Sequence, residues 1–150
     1  MSTGSSFLLD KARKYCATSE RCVVDVKQKL QQWKAEDITI QKIINQLERE
    51  DFINEERYAI AFAKGKLRHN KWGRNKIIYA LQRKNIPELY IQIAMGEMDE
   101  EEYLKTLKSV LSSKKIEEND PWIRNNKLVK YAVQKGFQAE LCWKVLKGDV

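Results

Sequence analysis

Sliding the chain against itself by 51 residues brings three stretches into register: VDVKQKLQQW (24–33), NKIIYALQRK (75–84) and NKLVKYAVQK (126–135). Val26, Ile77 and Leu128 coincide, as do Leu30, Leu81 and Ala132. Within each copy the two positions lie four residues apart, the spacing that puts side chains on one face of a helix. A period of this length marks tandem supersecondary units, none of which buries a hydrophobic face alone.

The flanking segments repeat in the same order. Tyr58, Ala61, Phe62 and Gly65 precede the second copy at helical spacing, and Tyr103, Leu104, Leu107, Val110 and Leu111 precede the third. Ile40, Ile43, Ile44 and Leu47 follow the first copy, with weaker counterparts in Tyr90, Ile93 and Ala94 and in Leu141, Val145 and Leu146. The pattern predicts an all-α fold of three tandem three-helix repeats, nine helices in all, at about 6–52, 53–96 and 97–150. Each unit buries its apolar face against its neighbours, so the molecule should be elongated and curved.

Boundary residues agree with that division. Asn54 before Glu55 and Glu56, and Asp120 before Pro121, are helix starts, with Ser19 and Thr39 as expected caps in the first unit. The Lys135-Gly136 step and the acidic turn Glu97 to Asp99 are stops, and the acids Asp99 to Glu102 favour the positive end of the helix that follows.

The net charge of +7 is unevenly spread. Residues 1–52 carry nine Lys/Arg and eight Asp/Glu, residues 53–96 nine and three, and residues 97–150 ten and ten, giving +1, +6 and 0. Between Lys64 and Lys84 there are eight Lys/Arg and no acid, interleaved with His69, Trp72 and Tyr79. Helix surfaces ordinarily intersperse both signs, so this segment predicts a surface for a polyanionic partner. Lys76 and Arg83, seven apart, share a face away from Ile77 and Leu81. Trp72 has two readings: a platform for an unpaired base, or an inter-helix filler like Ile123, its counterpart in the third unit.

Other chemistry is not encoded. Cys16, Cys22 and Cys142 are odd in number and form no C-x-x-C pair, so they read as small buried hydrophobes in a reducing cytoplasm. His69 has no carboxylate or cysteine nearby, and there is no phosphate-binding glycine loop, so no catalytic residue, metal or cofactor is expected. The opening stretch MSTGSSFLLDKARKYC lacks a secretory pattern, and no segment is apolar enough for a membrane span.

The segment DFINEERYAIAFAKGKLRHNKWGRNKIIYALQRKNI (51–86) resembles the signature region of the RecX regulatory proteins. Phe52, Glu56, Arg57, Tyr58, Ala59, Gly73, Lys76, Ile77, Leu81, Lys84 and Ile86 stand at that pattern's positions. The first unit keeps the family's order but carries Cys16-Ala17-Thr18 where a basic-proline motif usually precedes the serine. The resemblance implies three three-helix repeats and a regulatory, non-enzymatic role. It implies binding in the groove of the RecA recombinase filament on single-stranded DNA, with suppression of ATP hydrolysis, strand exchange and filament growth. The expected contact residues are Arg57, Arg68, Lys71, Trp72, Arg74, Lys76, Arg83 and Lys84, presented by a monomer. Two other functions suit the same residues, a helix-turn-helix-like DNA-binding module without a recombinase and a helical-repeat scaffold for an unrelated protein.

Overall fold

A computed structural model describes residues 3–150; the first two residues of the opening stretch lie outside it. Among the described residues there are nine α-helices and no strand. They are α1 (Thr3–Thr18), α2 (Val23–Gln32), α3 (Asp37–Arg49), α4 (Glu55–Gly65), α5 (Arg74–Arg83), α6 (Glu88–Glu97), α7 (Glu100–Ser113), α8 (Pro121–Gln134) and α9 (Ala139–Leu146). A π-helical turn, Lys66–Asn70, extends α4. Helices α1–α3, α4–α6 and α7–α9 each pack as a group of three.

The repeat is written into the backbone. Lys34, Asn85 and Gly136, each 51 residues from the next, follow the middle helix of their unit with left-handed φ of 61°, 58° and 104°. Each closes the same pair of hydrogen bonds. The next residue's N–H reaches the carbonyl five back (Ala35 to Leu30, Ile86 to Leu81, Phe137 to Ala132), and the left-handed residue's own N–H reaches the carbonyl three back. This is the Schellman stop, which turns the chain sharply after each middle helix and satisfies carbonyls the helix leaves unpaired.

Two cores form. Ala12, Cys16, Val26, Leu30, Ile40, Ile43, Ile44, Leu47 and Ile53 make the first. The second runs continuously through the other two units, from Tyr58 and Ala59 through Ile77, Leu81, Ile91 and Tyr103 to Phe137 and Cys142, with Cys22 of the first unit inserted into it. No hydrogen bond or ion pair found among the described residues joins the first unit to the third. Accessible surface is 9412 Å² for 17.7 kDa, against about 7,900 Å² for a compact monomer of that mass, as an elongated row of units requires.

Several expected details shift. Ser19 and Thr39 are not caps: α2 starts after Cys22, and Thr39 lies inside α3, which starts after Glu36. The Asp25 carboxylate reaching back to the Cys22 N–H (3.4 Å) replaces a serine cap at α2. On α4 the buried face is Tyr58, Ala59 and Ala63, rotated from the expected stripe so that Ala61 is exposed. On α6 it is Ile91 and Ala94, with Tyr90 and Ile93 only partly covered. Both helices pack against two neighbours at once, which widens the apolar arc beyond one stripe. Asn54 and Asp120 cap α4 and α8 as expected, accepting from Arg57 N at 3.0 Å and from Trp122 N at 2.8 Å. All three cysteines are buried, and burial pushes their thiols up to about 11, so none is a ready thiolate.

Candidate functional site

The basic segment spans the end of α4, the π-helical turn and α5. Lys71 leaves the turn in a left-handed conformation (φ 55°), and the Trp72 N–H bonds back to the Lys66 carbonyl at 3.1 Å. The chain is thereby turned so that Gly73 starts α5 hard against the end of α8. There the Gly73 N–H donates to the Lys135 carbonyl (2.8 Å) and the Asn75 N–H to the Gly136 carbonyl (3.0 Å). A Cβ on Gly73 would run into the backbone of Gly136 and Phe137, so this approach is open only to glycine.

The eight expected contact residues divide into two sets. Arg57 binds the Glu20 carboxylate through Nε (2.6 Å) and holds Asp51 by its carboxylate (3.0 Å) and its carbonyl (2.9 Å). Lys84 pairs with Asp25 at 2.5 Å. These bonds tie the second unit to the first. Arg68 pairs with Glu102 (2.6 Å), and Arg74 with Glu100 (2.7 Å) while stacking on the Tyr103 ring at 4.1 Å. These tie it to the third. The Tyr103 hydroxyl completes that junction, accepting from Arg74 N (3.0 Å) and donating to Gln138 Oε1 (2.7 Å).

Every carboxylate in those pairs comes from outside residues 53–96, so the +6 of the middle third is partly matched by its neighbours in space. The pKa shifts follow the pairing. Hydrogen bonding to Glu20 raises the Arg57 guanidinium, and the Arg68 partnership holds Glu102 below the usual carboxylate range.

The second set stays open. Lys71, Lys76 and Arg83 form no ion pair among the described residues; Lys71 reaches only the Ser109 hydroxyl (3.3 Å), and Arg83 the Tyr79 hydroxyl (3.1 Å). The ammonium groups of Lys66 and Lys76 lie 4.7 and 4.6 Å from the centre of the Trp72 ring. Trp72 itself is half-buried, packed on the core with Phe62 at its edge. It fills a gap between helices, as one of its two readings held, while its rim faces a groove.

That groove, of about 470 Å³, runs between α5 and α8 and is lined by Trp72, Lys76, Tyr79, Ala80, Arg83 and Val133, among others. Tyr79 is 50% exposed and Val133 43%. No acid lines it. Sequence reasoning missed Val133, which sits 54 residues from Tyr79 in sequence. Its only signal was an apolar residue outside the buried stripe of α8, where Leu128, Val129 and Ala132 form the core face.

Units in series with an open groove lined by cations and apolar side chains define an all-α helical-repeat protein. Residues 54–95 match the family profile described as "RecX, second three-helix domain". "Regulatory protein RecX" of Clostridium beijerinckii is 31% identical over 127 residues, 82% of this chain and 59% of the relative. The protein of that name from Staphylococcus haemolyticus is 28% identical over 138 residues, 89% of this chain and 50% of the relative. The crystal structure of RecX from Lactobacillus salivarius superposes with a TM-score of 0.83 at 19% identity, covering 96% of this chain and 95% of that one, a likeness of fold. The chain belongs to the RecX family, a family of regulatory proteins. It spans 58–59% of the length of the Clostridium relatives it matches. Among the described residues no helix is long and apolar enough to cross a membrane.

Proposed function

We propose that this protein is an inhibitory regulator of the RecA recombinase filament on single-stranded DNA. It lowers ATP hydrolysis, strand exchange and filament growth, and so tempers recombination and the SOS response, acting in the cytoplasm as a monomer without catalysis or cofactor. Membership of the RecX family supports the regulatory class. The observation that carries the contact surface is the groove edge of α5, where Lys76 and Arg83 stand without carboxylate partners beside half-buried Trp72. Lys71 extends that surface, while Arg57, Arg68, Arg74 and Lys84 act in it by fixing how the three units stand to one another. A row of units braced in this way can bridge successive protomers of a helical polymer, which a globule cannot.

The test is ATP hydrolysis by recombinase assembled on single-stranded DNA as the protein is titrated in, with binding to naked DNA measured at the same salt. Inhibition at concentrations where naked DNA is barely bound is the expected result. The double reversal Lys76→Glu/Arg83→Glu should raise the half-inhibitory concentration at least about tenfold, a change of roughly 1.4 kcal/mol, with helicity by circular dichroism unchanged. Unaltered inhibition by that variant would sink the surface assignment. No inhibition, with tight binding to DNA alone that falls steeply with salt, would favour the DNA-binding module instead.

A further inference from the structure

The groove between α5 and α8 combines an apolar floor with a cationic edge, and no acid lines it. Its floor is hydrocarbon: Ala80 and Val133, with the half-exposed ring of Tyr79. Its edge carries cations without anions: Lys66 and Lys76 beside one indole at 4.7 and 4.6 Å, and Arg83 against Tyr79, its guanidinium 5.7 Å from the ring centre. Neither ammonium group has a carboxylate partner among the described residues, and an incoming carboxylate would supply one. A base needs a free aromatic face on which to stack. The Trp72 ring already has two lysines for company and Phe62 at its edge. A phosphate backbone would also leave Val133 and Ala80 without an apolar partner.

We infer that this groove docks an acidic, amphipathic protein segment, which lays apolar side chains on Tyr79 and Val133 and turns carboxylates toward Lys66, Lys76 and Arg83. This is recognition of an amphipathic helix or strap in a groove, with charge complementarity setting its direction. The backbone bonds from Gly73 and Asn75 to the end of α8 hold the two walls at fixed separation, so the site is formed before the segment arrives. The inference rests on the regulatory reading only in naming the recombinase filament as the place where the segment is found.

The measurement is fluorescence anisotropy with the full chain and three labelled probes of equal charge. One is a glutamate-rich peptide with leucines at i, i+3, i+4 and i+7, one is oligoglutamate, and one is oligothymidylate. At about 150 mM salt, where charge alone is well screened, the amphipathic peptide should bind at least tenfold more tightly than either competitor. Val133→Asp and the pair Lys66→Glu/Lys76→Glu should each weaken it at least tenfold. Leu89→Ser, at a residue exposed elsewhere, should leave it unchanged. Equal or tighter binding of oligothymidylate would make the groove a nucleic-acid track and overturn the inference. Parity with oligoglutamate, or no binding of the peptide, would overturn it too. Recombinase inhibition is scored separately: peptide binding without inhibition removes the regulatory reading alone, and inhibition without peptide binding removes this one alone.

Discussion

The two junctions of the molecule occupy equivalent places in the repeat and are built by different physics. Between the second and third units, the start of α5 meets the end of α8 backbone to backbone, through Gly73, Gly136 and two hydrogen bonds of 2.8 and 3.0 Å. Between the first and second, the positions 51 residues earlier are Cys22 and Asn85, and both carry side chains. The start of α2 therefore stands away from the end of α5, leaving a cleft lined by Val23, Val24, Lys27, Gln28, Lys84 and Asn85. Side chains span the gap, in the Asp25–Lys84 pair at 2.5 Å, Arg57 on Glu20 at 2.6 Å, and Glu55 accepting from Val23 N at 3.0 Å. The cores divide the same way, continuous across the glycine junction and separate across the other except where Cys22 and Val24 reach the second core and Ile53 the first. Two residues without a Cβ decide whether neighbouring units share a core.

The sharpest way to break this comparison is Gly73→Ala. The added methyl has only backbone to push against, so the α5–α8 contact must open, at a cost of about 3 kcal/mol. Thermal unfolding should fall by roughly 6–12 °C, and protection of the Asn75 amide should disappear in hydrogen exchange. Cys22→Ala, at the equivalent position of the other junction, should cost far less in the same scan. Equal effects would show that the glycines set nothing.

Tyr103→Phe comes next. It leaves the Arg74 N–H without its acceptor in a place where the ring is 1% exposed. The expected loss is about 1–3 kcal/mol, read as a drop in the urea midpoint without a change in slope. A variant as stable as the parent would mean that the two backbone bonds hold the junction alone.

The smallest effects belong to the ion-paired junction. Burial pushes the Asp25 carboxyl up, but the Lys84 ammonium and the Cys22 contacts outweigh it and hold the group below its ordinary value of 3.8. The folded state therefore gains from the ionised form. That gain is complete above the ordinary value and is lost as pH falls through the folded-state value. Acidification below about pH 4 should loosen this junction, and Asp25→Asn should remove about 1 kcal/mol at neutral pH. In about 1 M salt, where the screening length is only some 3 Å, exchange at Val23 to Val26 should quicken more than at Asn75 to Ile77. The reverse order would refute the division into a salt-sensitive and a salt-insensitive junction.

The helices, their order and their period were legible because burial at 3.6-residue spacing leaves a pattern in the chain itself, as Val26, Ile77 and Leu128 show. The Lys135-Gly136 stop was legible for the same local reason. The buried faces of α4 and α6 were misplaced by about one residue, since each packs against two partners and no single stripe describes it. The candidate site was half legible. Its cations and Trp72 stand in one stretch of sequence, whereas Glu20, Asp25, Glu100 and Glu102, which engage four of those cations, lie in other units and read locally as helix-start acids or solvated charge.

The sequence by itself determined that this chain is three helical units of one design with a basic middle, because period, caps and charge count are properties of neighbours along the chain. Only the tertiary structure decided which cations face a partner and which brace the units. An ion pair forms where two helices bring opposite charges within a few ångströms, and that distance belongs to the fold: Arg74 and Glu100 are 26 residues apart in sequence and 2.7 Å apart in space.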